Sequence, residues 1–150
     1  MDSIDRQILA ELQQDARLTL TELADRVGLS LSPCHRRLRT LERSGVISGY
    51  HAHLDANTLG LTFEALVFVT MRGGDRATVD AFEQAVGAIP HVREAQRLFG
   101  EPDYLLRVIT ADLPAFQELY DERLATLLGV QRLTSTLVMK SVVENRPLPL

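Results

Sequence analysis

The sequence predicts an α+β chain in two parts, and three observations predict it. Residues 1–45 carry apolar positions at helical spacing in three short stretches, separated by turn residues. Residues 64–142 instead alternate runs of branched and aromatic residues with amphipathic stretches, in the order strand, helix, strand, strand, helix, strand. Between the two parts the punctuation changes character, so the division is expected at 1–48 for a three-helix, winged-helix-like head, 49–61 for a strand linker, and 62–150 for the second domain.

In the head, the first helix is expected from about Ser3 to Gln14, with Ile4, Ile8, Leu9 and Leu12 on one face and Asp2 or Ser3 as cap. Thr19 and Glu22 stand at capping-box spacing and open the second helix, which buries Leu23, Ala24 and Val27 and stops at Gly28. A tight Gly28-Leu29-Ser30 turn leads to the third helix. Pro33 falls in its first turn, where a missing N–H costs nothing, and Gly45 ends it. Val46 to Leu54 then reads as a strand.

The second domain begins with a strand at Glu64 to Arg72. A helix follows from Asp75 to Ile89, with Val79, Phe82, Val86 and Ile89 inward. Val92 to Phe99 and Tyr104 to Thr110 are strands on either side of the turn Gly100-Glu101-Pro102-Asp103. Asp112 caps a helix with Pro114 in its first turn, burying Phe116, Leu119, Tyr120, Leu124 and Leu127, and Val130 to Val142 closes as a strand. This βαββαβ order is the ferredoxin-like arrangement, with helices on one sheet face only. Leu66, Phe68 and Thr70 alternate with Val67, Val69 and Met71, so neither face is strongly polar, and a second copy of the chain would cover the open one.

Composition narrows the function classes. The single Cys34 allows no internal disulfide, and no Cys/His cluster has zinc-site spacing, so neither metal nor other cofactor is expected. No apolar run is long enough for a membrane span, and the chain opens on Asp2 and Asp5 instead of an export signal, so a cytoplasmic location is expected. The net charge of −4 is unevenly placed: residues 1–53 hold seven Arg and seven acids, and the excess of acid lies beyond them. What meets a phosphate backbone is a local stripe, and Cys34 to Arg43 carries four Arg against Glu42 alone.

At 100° per residue, Cys34, Leu38 and Leu41 share one narrow arc and face the other helices. Ser32, Arg36, Arg39 and Arg43 gather opposite, flanked by His35, Arg37 and Thr40. Two helices joined by a turn containing Gly, the second rich in cations, is the layout that sets a recognition helix into the major groove of double-stranded DNA. Arg36 and Arg39 are the candidates for guanine edges, with Arg43, Ser30 and Ser32 for phosphates and Pro33, His35 and Thr40 beside them. With no basic arm ahead of the first helix, affinity is expected to rest on the third.

Ile4-Asp5-Arg6-Gln7-Ile8-Leu9, Glu22-Leu23-Ala24, Arg26-Val27-Gly28-Leu29-Ser30 and Pro33-Cys34 together resemble the Lrp/AsnC, or feast/famine, family of bacterial and archaeal transcription regulators. The match continues through Arg37-Leu38-Arg39, Leu41-Glu42-Arg43, Gly45-Val46-Ile47 and Gly49-Tyr50, and again at Gly100 with Asp103-Tyr104-Leu105-Leu106. The resemblance implies a helix-turn-helix head, a strand linker, and a C-terminal domain that dimerises through its sheet and often assembles into octamers. It also implies an amino-acid effector between dimers, at Phe99, Gly100 and Asp103, with Ser135 and Thr136 from a neighbouring subunit. Glu101-Pro102 departs from the family's common pattern, because Pro102 removes a donor and stiffens the turn. The expected function is therefore a sequence-specific DNA-binding regulator and not an enzyme. Two alternatives are an effector-blind architectural DNA-binding protein and a sirohaem-decarboxylase-like enzyme, for which only His91 and scattered Arg are at hand in the second domain.

Overall fold

Two carboxylates start the first helix. Asp2 and Asp5 cap each other's backbone N–H groups at the head of α1 (Ser3–Gln14), a reciprocal box that satisfies two of the donors every helix leaves free. Thr19 and Glu22 do the same for α2 (Leu20–Arg26). Gly28, at φ +66°, then takes the left-handed conformation that ends α2: the Leu29 N–H reaches Ala24 O and the Gly28 N–H reaches Asp25 O. Ser30 leads directly into α3 (Leu31–Arg43).

A computed structural model describes all residues, Met1–Leu150. They pack as two units, Met1–His53 with Val142–Leu150, and Leu54–Ser141. The head's core is Ile8, Leu9, Leu23, Ala24, Val27, Cys34 and Leu41, all buried, with Leu38 packed against it. That is the arc the helical spacing predicts for α3. The second domain runs β1 (Phe63–Met71), α4 (Arg76–Gly87), β2 (Val92–Arg97), β3 (Tyr104–Thr110), α5 (Leu113–Leu119) and β4 (Val130–Leu137). Its sheet has the order β2-β3-β1-β4, antiparallel throughout, which is the ferredoxin-like order.

Alternation along β1 decides where this second core sits. Ala65, Val67, Val69 and Met71 are buried with Leu106 and Val108 of β3 and with Phe82, Val86 and Ile89 of α4 and its end. Phe82 stacks at a tilt on Tyr104, ring centres 4.7 Å apart, and its burial contributes about 1.5–3 kcal/mol. The other face shows Leu66, Phe68, Leu105 and Arg107 half-buried, with no helix over it. Arg107 lies there between Glu64 and Glu94.

Several expectations change. Val46 to Leu54 forms no strand: no backbone hydrogen bond joins residues 48–54 to another segment, and an extended stretch without a ladder partner does not hold that form. β4 ends at Leu137, five residues short of the expected Val142, because its partner β1 begins at Phe63 and Ala65↔Leu137 is the last register pair. The final residues, Val142–Leu150, pack with the head. There the Leu148 N–H donates to the Gln13 side chain at 2.6 Å. The last helix is also not a continuous α-helix, since α5 gives way to a π-turn over Tyr120–Leu124. A straight helix would set Leu124 about 80° round from Phe116. The wider turn reduces that offset, and both are buried.

Candidate nucleic-acid interface and ligand pocket

On α3 the polar face is built outward from Cys34 and Leu41, which fix the helix by burial. Ser32, His35, Arg36, Arg39, Thr40 and Arg43 are all exposed, and Pro33 is half-buried in the first turn. Ser30 caps α3 with its backbone only, leaving its hydroxyl uncommitted beside the free N–H groups of the first turn.

The arginines are not equivalent. The Arg36 guanidinium makes no hydrogen bond or ion pair within the chain, although the Thr40 hydroxyl donates to the Arg36 carbonyl at 2.9 Å. Arg39 donates to His35 Nε2 at 3.4 Å and meets Glu42 at 3.3 Å, while Arg43 Nε donates to the Arg39 carbonyl at 3.2 Å. Glu42 in turn accepts from the Tyr50 hydroxyl, and desolvation, then Glu42, pushes that phenol up. Arg37, read from spacing as a flank of the cationic face, is drawn inward: its Nη1 donates to Asp2 Oδ2 at 2.7 Å and Asp5 Oδ1 at 2.8 Å. A concavity of about 310 Å³ lies at this edge, lined by Asp5, Arg36, Arg37, Thr40 and Leu41.

The second domain offers a different kind of site. On the helix-free face of its sheet, Phe68, Thr70, Glu101, Pro102, Arg132 and Thr134 line a concavity of about 330 Å³. Glu101 and Arg132 pair across it at 3.4 Å. Thr70 faces Arg132 and Phe68 faces Thr134 in the β1–β4 register, so alternate residues of two strands and one turn converge.

The effector residues implied by the resemblance are only partly gathered here. Phe99 is fully exposed, and Gly100, at φ +127°, has a backbone conformation that a side chain would strain. Both belong to the turn that carries Glu101 and Pro102. Asp103 is tied into the fold through one carboxylate oxygen and its backbone: its Oδ2 accepts the Met71 N–H at 2.7 Å, its own N–H donates to Val69 O, and its carbonyl accepts from Leu98. It fastens the turn to the end of β1. Ser135 and Thr136 lie on opposite faces of the edge strand β4, Ser135 pairing with buried Val67 and Thr136 with Leu66. Phe68, Thr70, Arg132 and Thr134 line the concavity and are not among the residues the resemblance implies. A period of two joins Arg132, Thr134 and Thr136 in the sequence, but which β1 residues they meet depends on register.

Next to this turn, Tyr104 is buried and donates to Glu83 at 2.8 Å. Desolvation, helped by the Glu83 carboxylate, pushes its phenol up to about 12.

Comparison with known proteins matches both parts of the chain. Residues 64–148 match the family model of the Lrp/AsnC ligand binding domain, and residues 1–48 that of a winged helix-turn-helix DNA-binding domain. The chain is 41% identical to a leucine-responsive regulatory protein of Rhizobium meliloti, over 96% of this chain and 92% of that one. It is 38% identical to the leucine-responsive regulatory protein of Escherichia coli K12, over 99% and 90%. Among solved structures, a Neisseria meningitidis transcriptional regulator in complex with L-Met superposes with a TM-score of 0.95 at 36% identity, covering 99% of this chain and 96% of that one. An AsnC family regulator from Agrobacterium tumefaciens gives 0.94 at 33% identity, covering 99% and 97%.

Proposed function

Because the chain belongs to the Lrp/AsnC family of DNA-binding transcription regulators, we propose that α3 reads operator sequence while the helix-free sheet face serves ligand and assembly. Arg36 carries the first half of this reading. An exposed guanidinium with no partner in its own chain, two residues past the buried Cys34 anchor and on the opposite face of α3, is placed for bidentate contact with guanine O6 and N7. Arg39 takes a second base edge once DNA displaces its exposed Glu42 contact. Ser30, Ser32 and Arg43 hold phosphates at the two ends of the helix, with Pro33 and His35 packing alongside. Thr40, whose hydroxyl is turned to the Arg36 carbonyl, offers its methyl group.

Selection of duplexes from a random pool tests this. Arg36→Ala is expected to cost about 1–3 kcal/mol on the selected duplex and to relax preference at one position. Equal losses on selected and random DNA would reduce Arg36 to a phosphate contact.

For the effector, the Glu101–Arg132 pair supports an amino acid. A zwitterion can replace the ion pair by giving its ammonium to Glu101 and its carboxylate to Arg132, with its side chain against Phe68 and Pro102. Phe99 and Gly100 shape the same turn, Thr136 extends the same sheet face, and Asp103 acts by holding the turn to β1. Methionine heads the ligands to try, since the Neisseria regulator is complexed with it. A ligand at a hundred times its dissociation constant adds about 2.7 kcal/mol of stability. Thermal unfolding against each amino acid is expected to show a raised midpoint that Arg132→Ala abolishes; no shift with any of them removes the proposal.

Assembly follows from the open face, where Leu66, Phe68 and Leu105 lack a covering layer. Pairing two copies through it gives a dimer with two reading helices for two half-sites, and further assembly of dimers toward an octamer brings turns from neighbouring copies together. The protein acts in the cytoplasm, where its DNA lies. No helix is long and apolar enough to cross a membrane.

A further inference from the structure

Asp2, Asp5 and Arg37 form a clamp between α1 and α3 that the DNA-reading face does not account for. All four carboxylate oxygens are committed. Asp2 Oδ1 accepts the Asp5 N–H and Asp5 Oδ2 accepts the Asp2 N–H, closing the cap of α1. Asp2 Oδ2 and Asp5 Oδ1 are left pointing outward, and both accept from the single Nη1 of Arg37, at 2.7 and 2.8 Å. One nitrogen therefore bridges the first turn of α1 to the middle of α3 with two charge-assisted bonds. The guanidinium also screens two like charges that the cap brings close together.

Geometry gives the clamp a role beyond capping. Ile8, Leu9, Cys34 and Leu41 set how far apart the helices lie and which arc of α3 faces inward, so that only a small rotation about the helix axis remains free. A fixed bridge on the side of α3 restrains that rotation. Arg37 and Asp5 line the same concavity as Arg36 and Thr40, so the bridge lies beside the residues whose aim it controls. A recognition helix must present its side chains to within a fraction of an ångström to read base edges.

We infer that Arg37 is a positioning residue for operator recognition, held by Asp2 and Asp5 so that α3 presents Arg36 and Thr40 at a fixed rotation, and that it is not itself a DNA contact. This rests on α3 being the reading helix, which Arg36→Ala reports on separately.

The sign of one substitution separates the alternatives. Asp5→Asn removes a negative charge from the edge of a DNA-binding face, so electrostatics alone makes binding tighter on every duplex. Positioning makes it weaker on selected duplex only. The test uses the full-length protein, a duplex selected by the wild-type protein from a random pool, and a random-sequence duplex, each titrated between 50 and 200 mM salt. Asp5→Asn and Arg37→Gln are each expected to weaken selected-duplex binding about tenfold, with the random duplex unchanged or slightly tighter for Asp5→Asn and with unchanged salt slopes. Arg37→Lys, which keeps a cation beside the carboxylates and so guards against loss of the fold, is expected to restore part of the selected-to-random ratio. Selected-duplex binding by Asp5→Asn that equals or exceeds wild type overturns the inference. So does an equal loss on both duplexes in Arg37→Gln with the salt slope reduced by about 0.9, the mark of one lost phosphate contact.

Discussion

The head and the second domain bury their apolar residues in opposite ways. Three short helices close the head's core, and beyond the exposed Leu31 at its start what remains outside on α3 is polar and cationic. In the second domain the sheet is covered on one face only, and Leu66, Phe68 and Leu105 stay half-open on the other. A closed core with a charged face is ready to meet a polyanion as a single chain. A half-covered sheet is ready to meet another apolar surface. The difference teaches that the head completes its core within one chain while the second domain leaves one sheet face uncovered.

The largest expected effect bears on that contrast directly. Leu106→Ala and Ile8→Ala each empty a fully buried site in one core and are expected to cost about 2–5 kcal/mol. Because the two cores are separate clusters, calorimetry is expected to show Leu106→Ala lowering the second domain's transition and Ile8→Ala the head's. One shared transition moved equally by both would break the comparison. Leu105→Lys sharpens it from the open face. Circular dichroism is expected to stay close to wild type, while light scattering reports a mass falling toward the 16.7 kDa of one chain.

Smaller effects come from polar groups. Thr19→Ala removes the cap of α2 and is expected to cost the head about 1 kcal/mol, read as a lower midpoint with the second domain unmoved. Alkali is expected to act on the second domain through Tyr104. Its phenol is pushed up in the folded state to about 12 from an ordinary 10.0, so the folded state holds its proton longer than the unfolded one. That contribution is complete below pH 10 and is lost as pH rises toward 12. Tyr104→Phe is expected to flatten the fall in stability over that window.

Local chemistry made much of this fold legible. Capping boxes at Asp2/Asp5 and Thr19/Glu22, the left-handed Gly28 and the arc of Cys34, Leu38 and Leu41 each act within a few residues, and the spacing alone locates α1, α2 and α3. β3 is legible for a similar reason, since Tyr104–Thr110 is bounded by a turn and by the Asp112 cap. Val46 to Leu54 has the composition of a strand and lacks a partner, which no local pattern reports. Arg37 shows the same limit at the site. Helical spacing puts it at the flank of the cationic face, and only the approach of the α1 terminus turns it inward.

By itself, then, the sequence determined the order of helices and strands in the head and in the ferredoxin-like sheet, the cationic face of α3 and the family. Each rests on residues near one another in the chain, where backbone preference, capping and periodicity act. The tertiary structure decided which faces those residues share. Register against β1 placed Thr134 and Arg132 beside Phe68 and Thr70, separated Ser135 from Thr136, and ended β4 at Leu137. Packing committed Asp103 to Met71 and Arg37 to Asp2 and Asp5. Those choices are made by groups more than thirty residues apart, whose meeting depends on the closure of the domain that holds them.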